Sequence, residues 1–201
     1  FLALSGHKLH SAKGIGALYL KKGTRFQPFM IGGHQEYDRR AGTENVPGIV
    51  GLGKAAQLAA QNIEQERSRV KALRDRLQNG ILSSVKFAKV NGSIDNRLPN
   101  TLNIGFEFVE GESILLKLDE LRICASSGSA CTSGSLEPSH VLRAMGVPFT
   151  MVHGSIRFSL SRYNTEEEID YVVSQMPLII GSLRAMSPFG QDRLNSACVV
   201  Q

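Results

Sequence analysis

One cysteine of this chain, Cys131, sits in "SSGSACTSGS" (126–135), where every other residue is Ser, Gly, Ala or Thr. Such a stretch builds no core, and its small residues leave the backbone loose. It reads as a loop that exposes a thiol and lets it move, the setting of a reactive rather than a structural cysteine. Lys8 is the second candidate. It follows the apolar run "FLAL" in "SGHKLH", and an amine whose charged form is disfavoured beside a strand end is a nucleophile toward aldehydes. Ser5 and His7, next to it in sequence, carry donors suited to a phosphate. Read alone, the same lysine is more simply one that extends its stem from a strand end and does no chemistry.

Arg157 alternates with apolar residues in "SIRFSLS". With Ile156, Phe158 and Leu160 facing a core, Arg157, Ser159 and Ser161 share the opposite face. A guanidinium there can hold a carboxylate through two parallel hydrogen bonds, or simply face solvent. Thr43 in "RRAGTEN", at a helix start, offers a seat for an anion. No metal site is expected: His7 and His10 are three apart in a segment without helical pattern, and Cys124 and Cys131 are too far apart for a zinc knuckle. Cys124, in the apolar run "LRICAS", reads as a buried small hydrophobe in a strand.

Composition narrows the classes. The chain has 201 residues, a formal net charge of +5, no Trp and three Cys. That length holds one large domain or two small ones. Part of the positive surplus lies in "RSRVKALRDR" (67–76), where acids are interleaved and Val70, Leu73 and Leu77 keep helical spacing, so nucleic acid is not expected as the main partner. An odd, small number of cysteines suits a reducing cytoplasm. No apolar run is long enough to span a membrane, and no membrane association is expected. The chain opens inside a strand-like run without an initiator Met or a signal-peptide pattern, and reads as a portion of a longer protein.

The elements that must position these residues follow from the pattern. "FLAL" reads as a short buried strand and "GIGALYLKKG" as a second; residues 23–42 are loop-like. A long helix is predicted from Thr43, as N-cap, to about Leu82, with Gly51, Gly53 and Gly80 as places where it could break or end. Strands near "VKFAKV" and "NTLNIGF", a helix in "GESILLKLDE", a strand in "LRICAS", a helix in "EPSHVLRAMG", the strand "SIRFSLS" and a helix opening at "NTEEEID" complete the chain. From about residue 85 this alternation describes an α+β unit, an antiparallel or mixed sheet with helices on one face.

Taken together and in this order, "SGHKLHSAKGIGALYLKKG", "GGHQEYDRRAGTENVPGIVGLGKA", "SSGSAC" and "IRFSLSRYNTEEEID" closely resemble the cysteine desulfurases of the NifS/IscS type, within the class-V aminotransferases. The resemblance covers nearly the whole chain, thinning over the last fifteen or so residues, and maps it onto the carboxyl half of such an enzyme. It implies the α/β and α+β architecture of a fold-type I pyridoxal phosphate (PLP) transferase. Residues 1–65 would be the edge of the large-domain sheet and the start of a bridging helix, and 66–201 the small α+β domain. It also implies site roles. Lys8 would form the Schiff base with PLP, Ser5 and His7 would hold its phosphate, and Thr43 would reach the phosphate of the partner subunit in a homodimer. Arg157 would hold the carboxylate of L-cysteine, and Cys131 would take its sulfur as a persulfide and pass it to an acceptor or iron–sulfur scaffold. The groups that hold the pyridine ring belong to the other half of the family's chain, so this portion alone is expected to retain no PLP and to turn over little. Two alternatives stay open: a non-catalytic small domain that docks a scaffold or sulfur acceptor, and a PLP aminotransferase or selenocysteine lyase on the same fold.

Overall fold

In the computed structural model, residues 1–127 and 138–187 are described; they fall into two compact units, the first Phe1–Glu64 and the second beginning at Gln65. Cys131, with its flanking segment, lies outside the described residues.

In the first unit, β1 (Leu2–Ser5) and β2 (Gly16–Tyr19) pair antiparallel, with Leu2 opposite Tyr19 and Ser5 opposite Gly16. A 3-10 turn, Gly6–Leu9, joins them and closes at His10 in the left-handed conformation, φ 63°. A side chain at position 16 would put its Cβ 2.5 Å from the Leu4 carbonyl oxygen, so the strands approach this closely only because residue 16 is glycine. The apolar pattern of "FLAL" reads as a buried strand. All eight residues of β1 and β2 are exposed: among the described residues each strand pairs only with the other, and a two-stranded ribbon buries little. The loop that follows contains a single turn, α1 (Gln35–Asp38), with positive φ at Glu36, Tyr37 and Asp38.

Helix α2 (Val46–Ser84) is 39 residues long, and the boundary between the units falls within it. Its cap is Asn45 rather than Thr43: the Asn45 Oδ1 accepts from the Gly48 amide at 3.1 Å, and the Asn45 carbonyl accepts from Ile49. Pro47 sits in the first turn, where an amide is not needed. Gly80 does not end the helix. A Cβ there would meet Val173 at 2.6 Å, so this glycine lets α2 pack closely against a later helix.

The second unit is built on a four-stranded antiparallel sheet in the order β3 (Ala88–Val90), β4 (Thr101–Phe106), β6 (Ser155–Ser159), β5 (Ser126–Ser127). Between β4 and β5 runs α3 (Gly111–Glu120); α4 (His140–Ala144) and α5 (Phe149–Val152) precede β6, and α6 (Glu166–Met186) follows it. One face of the sheet carries the core. Leu102, Ile104, Phe106, Ile156 and Phe158 join Val70, Leu73, Leu77 and Ile81 of α2, Ile114 and Leu118 of α3, and Met176 and Ile180 of α6 in a single apolar cluster. The strand expected in "LRICAS" is only Ser126–Ser127. Arg122 takes φ 60° and the Ile123 amide returns to the Leu118 carbonyl, so the chain closes α3 instead of extending. Cys124 is accordingly exposed, not buried as expected.

The β6–α6 connection is held from two sides. Arg69 of α2 donates to the carbonyls of Arg162 (3.1 Å) and Asn164 (2.8 Å), and Leu160 donates to the Asn100 carbonyl. Thr165 and Glu168 form a reciprocal capping box at the start of α6. Hydrogen bonds from the Asn164 side chain and the Thr165 amide hold the Glu168 carboxyl below its ordinary 4.5. A lowered folded-state pKa means this contribution is complete above 4.5 and is lost as pH falls through the lowered value.

Arg184 of α6 is buried and donates to the carbonyls of Lys86, Phe87 and Glu107, tying α6 to the segments just before β3 and just after β4. Replacing Arg184 with Leu leaves those carbonyls without their donors and should cost about 3 kcal/mol, read as a fall in the urea midpoint at constant m-value. Lys should not restore it, since its single nitrogen cannot reach the three carbonyls that Nε, Nη1 and Nη2 serve separately; a loss under about 0.5 kcal/mol would show that water replaces the guanidinium. In hydrogen exchange, the amides that pair β1 with β2 should exchange far faster than those that pair β4 with β6, because a two-stranded ribbon opens without disturbing a core. Equal protection would mean the ribbon is buttressed.

Candidate functional site

The predicted site residues fall in two groups. Ser5, His7 and Lys8 lie within four consecutive positions, from the end of β1 through the 3-10 turn, and all three side chains are exposed. The turn is held by the Gly6 amide donating to Ile15 (2.8 Å) and by the Ser11 amide donating to the Gly6 carbonyl (3.0 Å). Behind it the Ser11 hydroxyl is buried with no partner among the described residues, 3.6 Å from where a Cβ on Gly51 would stand, so α2 backs the turn at a glycine. Lys8 belongs to the turn rather than to the strand end, and the turn itself does not supply the apolar setting expected for its amine.

These donors suit PLP at two of its ends. A primary amine (Lys8) matches the aldehyde, and a hydroxyl (Ser5) with an imidazole (His7) matches the phosphate. They offer nothing for the pyridine nitrogen, which calls for a carboxylate: the acids of this unit, Glu36, Asp38, Glu44 and Glu64, belong to the later loop and α2. Thr43 is exposed in the segment before α2, three residues outside the helix, with its hydroxyl uncommitted to the cap that Asn45 provides.

Arg157 belongs to the second unit. β6 alternates as expected, with Ile156 and Phe158 buried and Arg157 and Ser159 exposed. Across the ladder Arg157 stands opposite Asn103 of β4 on one side and Ser126 of β5 on the other. Directly opposed residues of antiparallel strands share a face, so the guanidinium lies between an amide and a hydroxyl. Its Nη2 donates to the Ser126 Oγ at 3.4 Å. Thr101 and Ser159 form the adjacent pair on the same face. The result is one cation in a field of neutral hydrogen-bonding groups with no acid at these register positions, a surface suited to a small carboxylate.

Asn103 and Ser126 were not among the residues singled out from sequence. The alternation in "NTLNIGF" puts Thr101 and Asn103 on the polar side of their strand, but which polar residues flank Arg157 depends on the strand order, which the pattern does not encode.

The comparisons with known proteins agree with one another. The class-V aminotransferase family matches residues 1–172. A cysteine desulfurase of Nostoc sp. strain PCC 7120 is 63% identical over 191 residues, covering 95% of this chain and 48% of that protein. Cysteine desulfurase NifS of Azotobacter vinelandii is 62% identical over 188 residues, 94% of this chain and 47% of that one. Among solved structures, a NifS-like protein superposes with TM-score 0.80 at 35% identity, covering 90% of this chain and 46% of its own. Another, from Rickettsia africae, gives TM-score 0.79 at 34% identity, covering 88% of this chain and 46% of its own. The chain thus spans about half the length of the curated relatives it matches. Its fold is that of part of a cysteine-desulfurase chain, mixed α/β. With the family match running through both units, the chain belongs to the class-V aminotransferases, a family that generally depends on pyridoxal phosphate.

Proposed function

We propose that this chain carries the amine, the carboxylate-binding arginine and the sulfur-accepting thiol of a cysteine desulfurase. The overall reaction is L-cysteine plus the Cys131 thiol giving L-alanine plus a Cys131 persulfide. The observation that carries the reading is the join between β5 and the cysteine segment. Ser126 pairs with Arg157, and Cys131 is the fourth residue beyond Ser127, a tether of no more than about 14 Å. A thiol so tethered stays within reach of a substrate whose carboxylate is held at Arg157. Identity above 60% to proteins named cysteine desulfurase, over nearly the whole chain, supports the same reading.

Each residue then has one task. Arg157 grips the α-carboxylate and so orients the side chain of the substrate. Ser5 and His7 would donate to the phosphate of PLP, and the Lys8 amine would hold its aldehyde carbon. Bound PLP supplies an electron sink conjugated to the substrate. The Cys131 thiolate attacks the substrate sulfur: an S–S bond forms, the Cβ–S bond breaks, and the electron pair left on Cβ takes up a proton. The persulfide sulfur then passes to an acceptor protein for iron–sulfur cluster assembly. Thr43 reaches the phosphate of a second subunit, which makes the working form a homodimer. We place this chemistry in the cytoplasm, where a small, odd set of cysteines stays reduced.

In the protein that contains this chain, Arg157→Ala should raise the KM for L-cysteine by a few tens- to several hundred-fold while leaving PLP bound, the cost of losing a charge-assisted two-point contact, about 2–4 kcal/mol. Alanine formed against cysteine concentration measures it, and an unchanged KM would mean the carboxylate is held elsewhere. Borohydride reduction of the PLP-loaded protein followed by peptide mapping should place the pyridoxyl group on Lys8; a label on Lys13 or Lys54 would overturn that assignment.

A further inference from the structure

We propose that Asn103 is a second carboxylate contact, its side-chain amide donating to the α-carboxylate held by Arg157 and so helping to select an α-amino acid. The inference rests on the reading of Arg157 as the carboxylate holder and adds a residue to it. It follows from proton bookkeeping in a relay of side chains across the sheet. The Ser155 hydroxyl is buried and donates to the Met151 carbonyl at 3.0 Å. Its proton is therefore committed, and toward Asn91, 3.0 Å away, its oxygen can only accept. The Asn91 atom that faces it must be the amide nitrogen. That same nitrogen reaches the Asn103 side chain at 2.7 Å, so the Asn103 atom there must be its oxygen.

The Asn103 amide is thus pinned with Oδ1 toward Asn91. Its Nδ2, at the other end of the planar group, keeps two N–H donors with no protein partner among the described residues. The side chain is half-buried, and the residue opposite on β6 is Arg157. A backbone bond from the Asn91 amide to the Asn103 carbonyl, 2.9 Å, keeps the row in register. Read across the strands, Asn91, Asn103, Arg157 and Ser126 form one polar row on the face away from the core. Its middle pair offers a guanidinium and an amide donor side by side, which matches the two oxygens of one carboxylate. A neutral amide beside the guanidinium adds a donor without like-charge repulsion, which a second cation would bring.

The test is a titration of the isotopically labelled protein that contains this chain, following the Asn103 side-chain NH2 and the Arg157 Nε–H resonances by NMR. The ligands are L-alanine, which has the α-carboxylate, and L-alaninamide, which has the same shape without it. Both resonances should shift saturably with L-alanine and stay put with L-alaninamide. Asn103→Asp, which replaces the donors with a carboxylate of the same size, should raise the midpoint for the Arg157 shift about tenfold or more. The backbone amides of β4 and β6 in the same spectra report that this variant is folded. If Arg157 responds but Asn103 does not, or if Asn103→Asp leaves the midpoint unchanged, the Asn103 contact is overturned and the Arg157 reading stands. If neither responds to L-alanine, the Arg157 reading falls and the contact falls with it.

Discussion

The apolar side of the four-stranded sheet is the constraint on which the second unit depends. Leu102 and Ile104 of β4 and Ile156 and Phe158 of β6 are buried in one cluster with α2, α3 and α6. Because side chains alternate along a strand, burying residues 156 and 158 commits 155, 157 and 159 to the other face. A slip of one residue would drive the Arg157 guanidinium into the core and bring Ile156 and Phe158 out to water, a penalty of several kcal/mol. The placement of Arg157 is therefore a by-product of packing, enforced by the hydrophobic effect and not by any bond the arginine makes. The same register sets its neighbours, Asn103 and Ser126, and brings the strand that leads to Cys131 alongside.

The first unit obeys a different balance. Its ribbon, β1 and β2, leaves Leu2, Leu4, Leu18 and Tyr19 exposed, so its pairing is supported by backbone hydrogen bonds more than by burial. Yet the turn it presents is specific in shape: the close approach at Gly16, the left-handed His10 and the Gly6–Ile15 bond all shape the four-residue turn that bears His7 and Lys8. A turn whose geometry is local but whose surroundings are sparse suits a site completed by further contacts. That picture agrees with a chain that spans about half of its relatives' length.

Much of this was legible in the sequence because it rests on periodicity. The alternation in "SIRFSLS", the helical spacing of Val70, Leu73 and Leu77 and the cap at "NTEEE" all report burial or capping directly. What escaped depends on long-range packing or on competing local choices. Gly80 looked like a helix end but serves the contact with Val173, a residue more than ninety positions away along the chain. Asn45, not Thr43, won the capping position because the first helical turn begins at Val46 with Pro47 behind it. "LRICAS" has the apolar content of a strand, yet the Ile123 amide bonds back to the end of α3, and Cys124 is left exposed. Strand order, which alone puts Asn103 and Ser126 beside Arg157, has no signature within either strand.

The central claim is that sulfur leaves the substrate onto Cys131. The direct measurement is to expose the PLP-loaded protein containing this chain to L-cysteine, cleave it without reductant and weigh the cysteine-bearing peptides. The account expects the mass of one added sulfur on the peptide that contains Cys131, in amounts matching the alanine released in a single turnover, with Cys124 and Cys198 unchanged. Added sulfur on Cys124, exposed at the end of α3, with Cys131 unmodified, would contradict it.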